Sequence, residues 1–501
     1  MHLILGFGAT GASYLRYLRK KNIPTLVMDS RDRPSGLLEF DNLNKRNFYL
    51  GKFDLSVLDK VKTILVSPGI KYKNEVLVEA RRLGIEILTD IEIFLKESKS
   101  KKLLITGTNG KTTVVSMIGH VLKNIYREKK VICCGNIGTP VLDTLTEEHF
   151  ISVIEVSSFH LEHSRSLPCE IGVLLNVEQD HLDRHVSFAN YKKIKEKILL
   201  DCTIGLASKE DLRSMDCISS NLFTFEDLTT PLKGEIDKFF KDKWPYHETL
   251  NVKSVLSVVL ALESIKKKKE LVQLAFSKSD LMDISLQALL TFERLQHRYE
   301  ILGIRHGLTY INDSKSTNIS SLLTALNSTQ KLYGKEKTLL ICGGDTKGQD
   351  FSMIQTSSLK SIKKIFIFGK DKEKIMKEIG IKVDCILSED LEDALDPQVD
   401  DPPAPIFHDR DVGALAIEET RAVEEPDRDR RDGEQQEQAP VAFLFAPQRG
   451  HHAAQHQHQP EEQPREQRDL PDAAEIEKFI ALMPEPEAQS LGHRVRDGEI
   501  I

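Results

Sequence analysis

Apolar positions along most of the chain follow two alternating rhythms. Short unbroken apolar runs stop at glycine-, serine- or aspartate-bearing turns, and stretches with apolar positions three and four apart follow them. HLIL runs through Gly6, Gly8 and Gly11 into an amphipathic ASYLRYLRKK, and a second run, IPTLVMD, ends at Asp29, so residues 2–29 read as strand–helix–strand. Thr63–Ile70 (TILVSPGI), a helix through Val76–Leu83 and IEILTD repeat the unit. Leu103–Ile105 then stops at Thr-Gly, and Val114, Val115, Ile118 and Leu122 carry helical spacing. Val131–Gly135, Ser152–Val156 and Ile171–Asn176 read as further strands, and Leu250–Leu262 as a buried helix. Between Ser208 and Lys243 no rhythm assigns an element. Beyond FERLQHR, an antiparallel-looking pair, YEILGI and LTYIND, precedes a helix opened by Asp313–Asn318, with Ser and Asn as caps. Thr338–Gly344 and Ile362–Gly369 are two more strands.

Strands alternating with helices predict an α/β protein, and 501 residues suit about three domains of roughly 150 residues. The boundaries expected are a Rossmann-like domain at 1–96, a central P-loop-type domain at 97–295, a second Rossmann-like domain at 296–395 and a tail at 396–501. The Lys-rich Lys96–Lys102 reads as the first linker. In the tail lysine nearly vanishes, Lys478 standing alone, while Arg, Gln, Pro, His and Asp take over. Such a composition cannot bury enough apolar surface to fold alone, and VAFLFA (Val441–Ala446) is its one strand-like run. His451, His452, His456 and His458 read as part of a solvated low-complexity tract.

A net charge of −7 is mild and points to neither a nucleic-acid nor a membrane-surface partner. Seven scattered cysteines with no C-x-x-C pair read as reduced thiols of a cytoplasmic protein. The apolar start MHLILGFG is too short for a signal peptide or a membrane span.

The strongest chemical signal is LLITGTNGKTT (Leu103–Thr113). Gly107 and Gly110 free the backbone to turn its N–H groups inward, together with Thr108 and Asn109 between them. Lys111 offers a point charge to phosphate oxygens, Thr112 a hydroxyl to magnesium, and Thr113 continues the helix whose positive N-terminus faces the same place. Only two residues separate the glycines, where the common P-loop has four before its Gly-Lys pair. Glu155, in an otherwise apolar strand, is costly to bury alone; it reads as a magnesium ligand, against a helix-capping or salt-bridged acid. Asp180, His181 and Asp183 crowd one strand end, as a metal site or as structural polar residues. Tyr191, Lys192, Lys193, Lys195 and Lys197 read as a solvated helix face. The Gly6–Gly11 loop with Asp29 fits a redox dinucleotide, another nucleotide diphosphate, or a purely structural turn.

LLITGTNGKTT, GNIG, VIEVSSFHL, LNVEQDHLDRH, FERLQHR, INDSKSTN and LLICGGDTKGQDF together resemble the Mur ligases, in order and spacing, over roughly residues 2–390. GFGATG, DSR, SPGI and TDIEIF agree best with members that join D-glutamate to UDP-N-acetylmuramoyl-L-alanine. The resemblance implies ATP-dependent amide formation through an acyl phosphate in cytoplasmic peptidoglycan precursor synthesis, by an enzyme expected to be a monomer. It assigns Lys111 and the loop to the ATP phosphates, Thr112 and Glu155 to one magnesium, and His181 with a carbamylated Lys195 to a second. Lys111, His181 and Lys195 are the implied catalytic set. Ala9, Thr10, Asp29, Ser30, Arg31 and Gly69 match the uridine-nucleotide contacts, with Asn136, Ser157 and His181 nearer the reacting carboxylate. Arg298, Asp313 and Lys315 match further ATP contacts, and Thr317 and Lys347 those to D-glutamate. Rival readings are a Mur-type ligase for another amino acid, a folylpolyglutamate synthase-like enzyme, and a nucleotide-binding protein without catalysis.

Two departures stand out. His247-Glu248 replaces the family's His-Asn, and the family's Ser-Pro-x-x-x-Ser-Phe-Asp segment is absent from 396–501. The third domain is therefore expected to be incomplete, lacking its final strand and helix.

Overall fold

The computed structural model describes residues 1–40, 45–215, 221–240, 246–269, 278–305, 308–335, 337–346, 349–395 and 441–445. They form three sheets. Contacts divide the chain into one unit holding residues 1–243 and 249–292 and a second holding 244–248 and 293–452.

The first sheet has the order β3-β2-β1-β4-β5, from β1 (His2–Leu5), β2 (Thr25–Asp29), β3 (Phe48–Leu50), β4 (Thr63–Val66) and β5 (Glu86–Leu88), all parallel. Helix α1 (Ala9–Lys20) leaves β1 through the glycine loop. A Cβ on Gly11 would lie 2.3 Å from the Gly6 carbonyl oxygen, so only glycine lets helix and strand approach this closely. Helix α2 (Glu75–Arg82) starts under an Asn74 cap, and α3 (Asp90–Glu97) under a Thr89–Glu92 capping box. Direction reverses between β1 and β4, which opens a crevice where the Gly6–Gly11 and Ser67–Ile70 loops meet.

The second sheet runs β11-β10-β9-β6-β8-β7, from β6 (Lys101–Thr106), β7 (Val131–Gly135), β8 (Ile151–Glu155), β9 (Cys169–Leu174), β10 (Cys202–Ala207) and β11 (Leu222–Thr224). It too is parallel, and its central strands are buried apolar runs, as a sheet covered on both faces requires. Helix α4 (Lys111–Ile125) follows β6, and α5 (Ser158–His163), α6 (Leu182–His185) and α7 (Phe188–Glu196) come later. Again β6 sits where the order turns, with β8 on one side and β9 on the other, so the loop after β6 occupies the switch point.

The expected Lys96–Lys102 linker shrinks to Ser98–Ser100, because Lys96 lies in α3 and β6 begins at Lys101. Lys96, Lys101 and Lys102 mark exposed or half-buried faces of ordered elements, and only Lys99 stays in the connection. Within 208–243, where no rhythm was legible, helices Lys209–Arg213, Phe225–Thr229 and Lys233–Phe240 are each too short to repeat a period. The apolar run at Leu250–Leu262 lies inside a longer helix, Tyr246–Lys269.

The third sheet has β12 (Glu300–Arg305), β13 (Leu308–Asn312), β14 (Thr338–Gly343), β15 (Ile362–Phe368), β16 (Cys385–Leu387) and β17 (Val441–Phe445), in the order β12-β13-β17-β14-β15-β16. β12 and β13 are the expected antiparallel pair. β17 is parallel to both β13 and β14, Val441 facing Thr309 on one side and Thr338 on the other. The strand-like run of the tail thus fills the middle of the sheet that was expected to lack its last strand. An uninterrupted apolar run is the sequence a doubly flanked parallel strand needs. No helix among the described residues is long and apolar enough to cross a membrane.

Candidate active site

Loop 107–110 is shaped by its neighbours. Gly110 caps α4 at φ +81, and a Cβ there would lie 3.0 Å from the Asn251 side-chain oxygen. Asn176, just beyond β9, accepts at Oδ1 from the amides of Thr108 (3.1 Å) and Asn109 (2.9 Å), and its Nδ2 donates to the Asn109 carbonyl (3.1 Å). These two loop amides therefore hold the loop in shape, at the N-terminus of α4. Thr108 Oγ1 also meets Tyr191 Oη at 3.1 Å and accepts from the Glu178 amide at 2.9 Å.

Two lysines converge on one carbonyl. Lys111 Nζ donates to the oxygens of Gly107 (2.9 Å) and Thr108 (2.8 Å), and Lys195 Nζ donates to Gly107 at 2.7 Å. Lys195 is 1% exposed, which overturns the reading of its helix as a uniformly solvated face. Tyr191, Ile194 and Lys195 form the buried stripe of α7, while Lys193 stays exposed. Burial, reinforced by the charge of Lys111, pushes the Lys195 amine well below the usual lysine range.

Glu155 is 2% exposed, and both its oxygens are engaged by neutral donors: Thr112 Oγ1 and Asn136 Nδ2, each at 2.9 Å. It caps no helix. A buried carboxylate held by a hydroxyl and an amide, beside the phosphate loop, fits a divalent cation as its counter-charge. Asp180 is buried and accepts from the His181 amide, whereas Asp183 is exposed. His181 takes a left-handed backbone (φ +51) before α6, 3.5 Å from Asp180 and edge-on to Phe159. No group of three or more His, Cys, Asp or Glu side chains able to hold a metal forms among the described residues.

In the first sheet, the Asp29 carboxylate accepts from the Phe7 amide (2.7 Å), the Arg31 amide (2.9 Å) and the Arg31 guanidinium (2.7 and 2.9 Å). Burial works against ionisation, but these bonds and the Arg31 charge outweigh it and hold the carboxyl below its ordinary range. Asp29 thus fastens the glycine loop and aims Arg31, whose side chain is 54% exposed and open to an anion. Ala9 and Thr10 open α1; Ala9, Ser30 and Gly69 are exposed. Ser157 caps α5 and shares a 2.7 Å hydrogen bond with His160 Nδ1, while His160 Nε2 faces Asp90 at 3.7 Å.

The second unit gathers its own set. Asp313, 7% exposed, accepts from the Tyr299 amide and from Ser316 Oγ, and burial pushes its carboxyl up to about 6. Burial and the nearby Arg298 lower the Lys315 amine. Asn318 caps the helix Ile319–Tyr333, and Gln349 reaches the Thr317 carbonyl. Glu248 is 4% exposed, lies 3.4 Å from Arg294, and leaves Oε2 without a partner; burial pushes it to about 7. Lys347 and the side chain of His247 lie outside the described residues.

Comparison with known proteins decides the family. Residues 1–89 match the N-terminal domain of MurD-like Mur ligases, and residues 105–216 the Mur ligase middle domain. A UDP-N-acetylmuramoylalanine–D-glutamate ligase of Shewanella oneidensis is 35% identical over 77% of this chain and 88% of its own. The chain belongs to the Mur ligase family. As a Mur ligase it is an ATP-dependent enzyme of peptidoglycan precursor synthesis, and the family generally works with magnesium. A Legionella pneumophila protein of the same description is 32% identical over 79% of this chain and 90% of its own. A UDP-N-acetylmuramate–alanine ligase structure from Thermotoga maritima covers 89% of this chain at 15% identity and TM-score 0.47.

The sequence reading passed over Asn176, the Thr108–Tyr191 contact, His160 with Asp90, and Arg184. Asn176 carried a signal, since it follows a parallel strand beside the phosphate loop. Arg184 carried none, because what it grips is distant in sequence.

Proposed function

We propose that this Mur ligase joins D-glutamate to UDP-N-acetylmuramoyl-L-alanine. The observation that carries the reading is the pairing of Lys111 and Lys195 on one carbonyl beside the Thr112–Glu155–Asn136 cluster. Two amines gathered on one carbonyl suit a site that receives an anion. The γ-phosphoryl group of ATP passes to the precursor's carboxylate, giving an acyl phosphate and ADP. The amine of D-glutamate then attacks the acyl carbon, the amide forms, and phosphate leaves with the carboxylate's former oxygen. Bringing anions together makes charge neutralisation and positioning the enzyme's main task.

Lys111 and the first turn of α4 bind the phosphates. Thr112 and Glu155 would hold one magnesium ion and His181 with a carbamylated Lys195 a second; such ions neutralise phosphate charge. Burial disfavours the charged form of this amine and so favours the lone pair that carbon dioxide requires; forming the N–C bond releases one proton and leaves an anionic carbamate. Arg31, with Ala9, Thr10, Ser30 and Gly69, receives the uridine diphosphate, and Asn136 and Ser157 the end bearing the carboxylate. Arg298, Asp313 and Lys315 contact ATP, while Thr317 and Lys347 select the amino acid. The enzyme acts as a cytoplasmic monomer.

The test is ADP release from the full chain with ATP, magnesium and the L-alanyl precursor, comparing D-glutamate, L-lysine and L-alanine. Release with D-glutamate at least tenfold above the others supports the assignment. Equal release with all three, or release without any amino acid, overturns it.

A further inference from the structure

The geometry points to Arg184 as the residue that sets the substrate loop of the first sheet against the phosphate site of the second. The inference rests on the reading that Ser67–Ile70 borders the nucleotide-sugar site. One guanidinium donates to three consecutive carbonyls of that loop: Nη2 to Pro68 (2.9 Å) and Ile70 (2.6 Å), Nη1 to Gly69 (2.9 Å). It also donates to Glu162 Oε2, from Nε at 3.1 Å and from Nη2 at 2.7 Å, so the two Nη2 hydrogens are shared among three acceptors. Both side chains of this pair are only 9% exposed, and the guanidinium lies over the Phe159 ring at 4.5 Å.

The contacts continue on both sides. Towards the first sheet, His163 Nε2 also meets the Ile70 carbonyl at 2.7 Å, and Ser67 Oγ donates to the Gly6 carbonyl at 2.7 Å. The clasp therefore reaches the Gly6–Gly11 loop through a single residue. Towards the phosphate site, the Arg184 amide donates to the His181 carbonyl at 3.0 Å, and His181 and Arg184 share one turn around α6. His185, the next residue, meets Glu162 at 3.4 Å and Ser158 Oγ at 3.1 Å. Arg184 is thus a positioning residue. Its bonds fix the distance between the loop beside the sugar nucleotide and the histidine beside the phosphates. Five N–H donors in a planar fork serve three carbonyls and a carboxylate at once, which the single ammonium of lysine does not reproduce.

The experiment uses the full chain with Arg184→Lys and, as a milder second variant, Glu162→Gln. Steady-state kinetics give KM for the L-alanyl precursor and for ATP separately, and hydrogen–deuterium exchange follows residues 67–72. In Arg184→Lys the precursor KM should rise roughly tenfold or more, since small misplacements at an active site carry such penalties. The ATP KM should stay within about twofold, and exchange should rise in 67–72 without rising in 103–113. Glu162→Gln should shift both readouts the same way by less. Unchanged exchange at 67–72 overturns the clasp. Faster exchange with an unchanged precursor KM, or parallel rises in both KM values, overturns the positioning role. If the wild-type enzyme does not bind the precursor, the functional reading fails instead, and the exchange result then reports on the clasp by itself.

Discussion

Asn176→Ala removes the brace of the phosphate loop while leaving every lysine and carboxylate of the site in place. Three hydrogen bonds are lost: two from the Thr108 and Asn109 amides to Oδ1 and one from Nδ2 to the Asn109 carbonyl. The Thr108 amide keeps a second acceptor, the Asn176 backbone carbonyl at 3.0 Å, so its loss is partial. At about 1 kcal/mol net for each bond, with some return from water at a half-buried loop, the variant should lose about 2 kcal/mol. For a folding unit of this size that lowers Tm by about 3–4 °C. Asn176→Asp separates shape from charge. It keeps an acceptor for both amides, turns the Nδ2 donor into an oxygen facing the Asn109 carbonyl, and sets a carboxylate beside the phosphates. A unit charge roughly 6 Å from phosphate at an effective dielectric near 20 costs about 2–3 kcal/mol, or roughly a 30-fold or larger rise in the ATP KM. Differential scanning fluorimetry and an ADP-release assay read the two effects. An alanine variant melting within about 1 °C of wild type with an unchanged ATP KM would refute the brace, and an aspartate variant binding ATP normally would refute the placement of the phosphates.

The remaining predictions concern single charges. Lys111→Ala should abolish turnover yet leave precursor binding measurable by calorimetry, and retained turnover would remove Lys111 from phosphate binding. Lys195→Ala should lose activity and regain part of it with millimolar formate or acetate standing in for the carbamate; wild-type activity without added acid would show a spectator lysine. For Glu248, burial raises the folded pKa to about 7, above the ordinary carboxylate value of 4.5. The folded state thus holds a proton that the unfolded state has released, and stability falls as pH rises from about 4.5 to 7. Glu248→Gln should therefore raise Tm more at pH 8 than at pH 5, by an amount equivalent to at most roughly 3 kcal/mol. Equal shifts at both pH values would disprove the assignment.

What was legible in the sequence had local causes. The glycines of 107–110 and 6–11 announce sharp turns after apolar strands, and both turns lie at switch points of their sheets. Glu155 was conspicuous because a carboxylate contradicts an apolar strand. Lys195 was not legible from its neighbours: in a run of lysines, nothing local tells the one beneath the phosphate loop from the one in water. That difference arises only when α7 packs Tyr191 against Thr108. Asp29 was legible as an acid at a strand end, but its engagement by Phe7 and Arg31 depends on the folded loop. Composition marked the tail as foreign to the rest of the chain; it could not tell that residues 441–445 lie between β13 and β14.

That last strand imposes an order on synthesis. β13 and β14 are both made before residue 344, whereas the strand that separates them comes from residues 441–445. While the intervening chain is still being translated, the inner edges of β13 and β14 either pair prematurely with each other or stay open to any other extended segment. Ribosome-bound chains that stop short of residue 441 should therefore be the most aggregation-prone species of this protein.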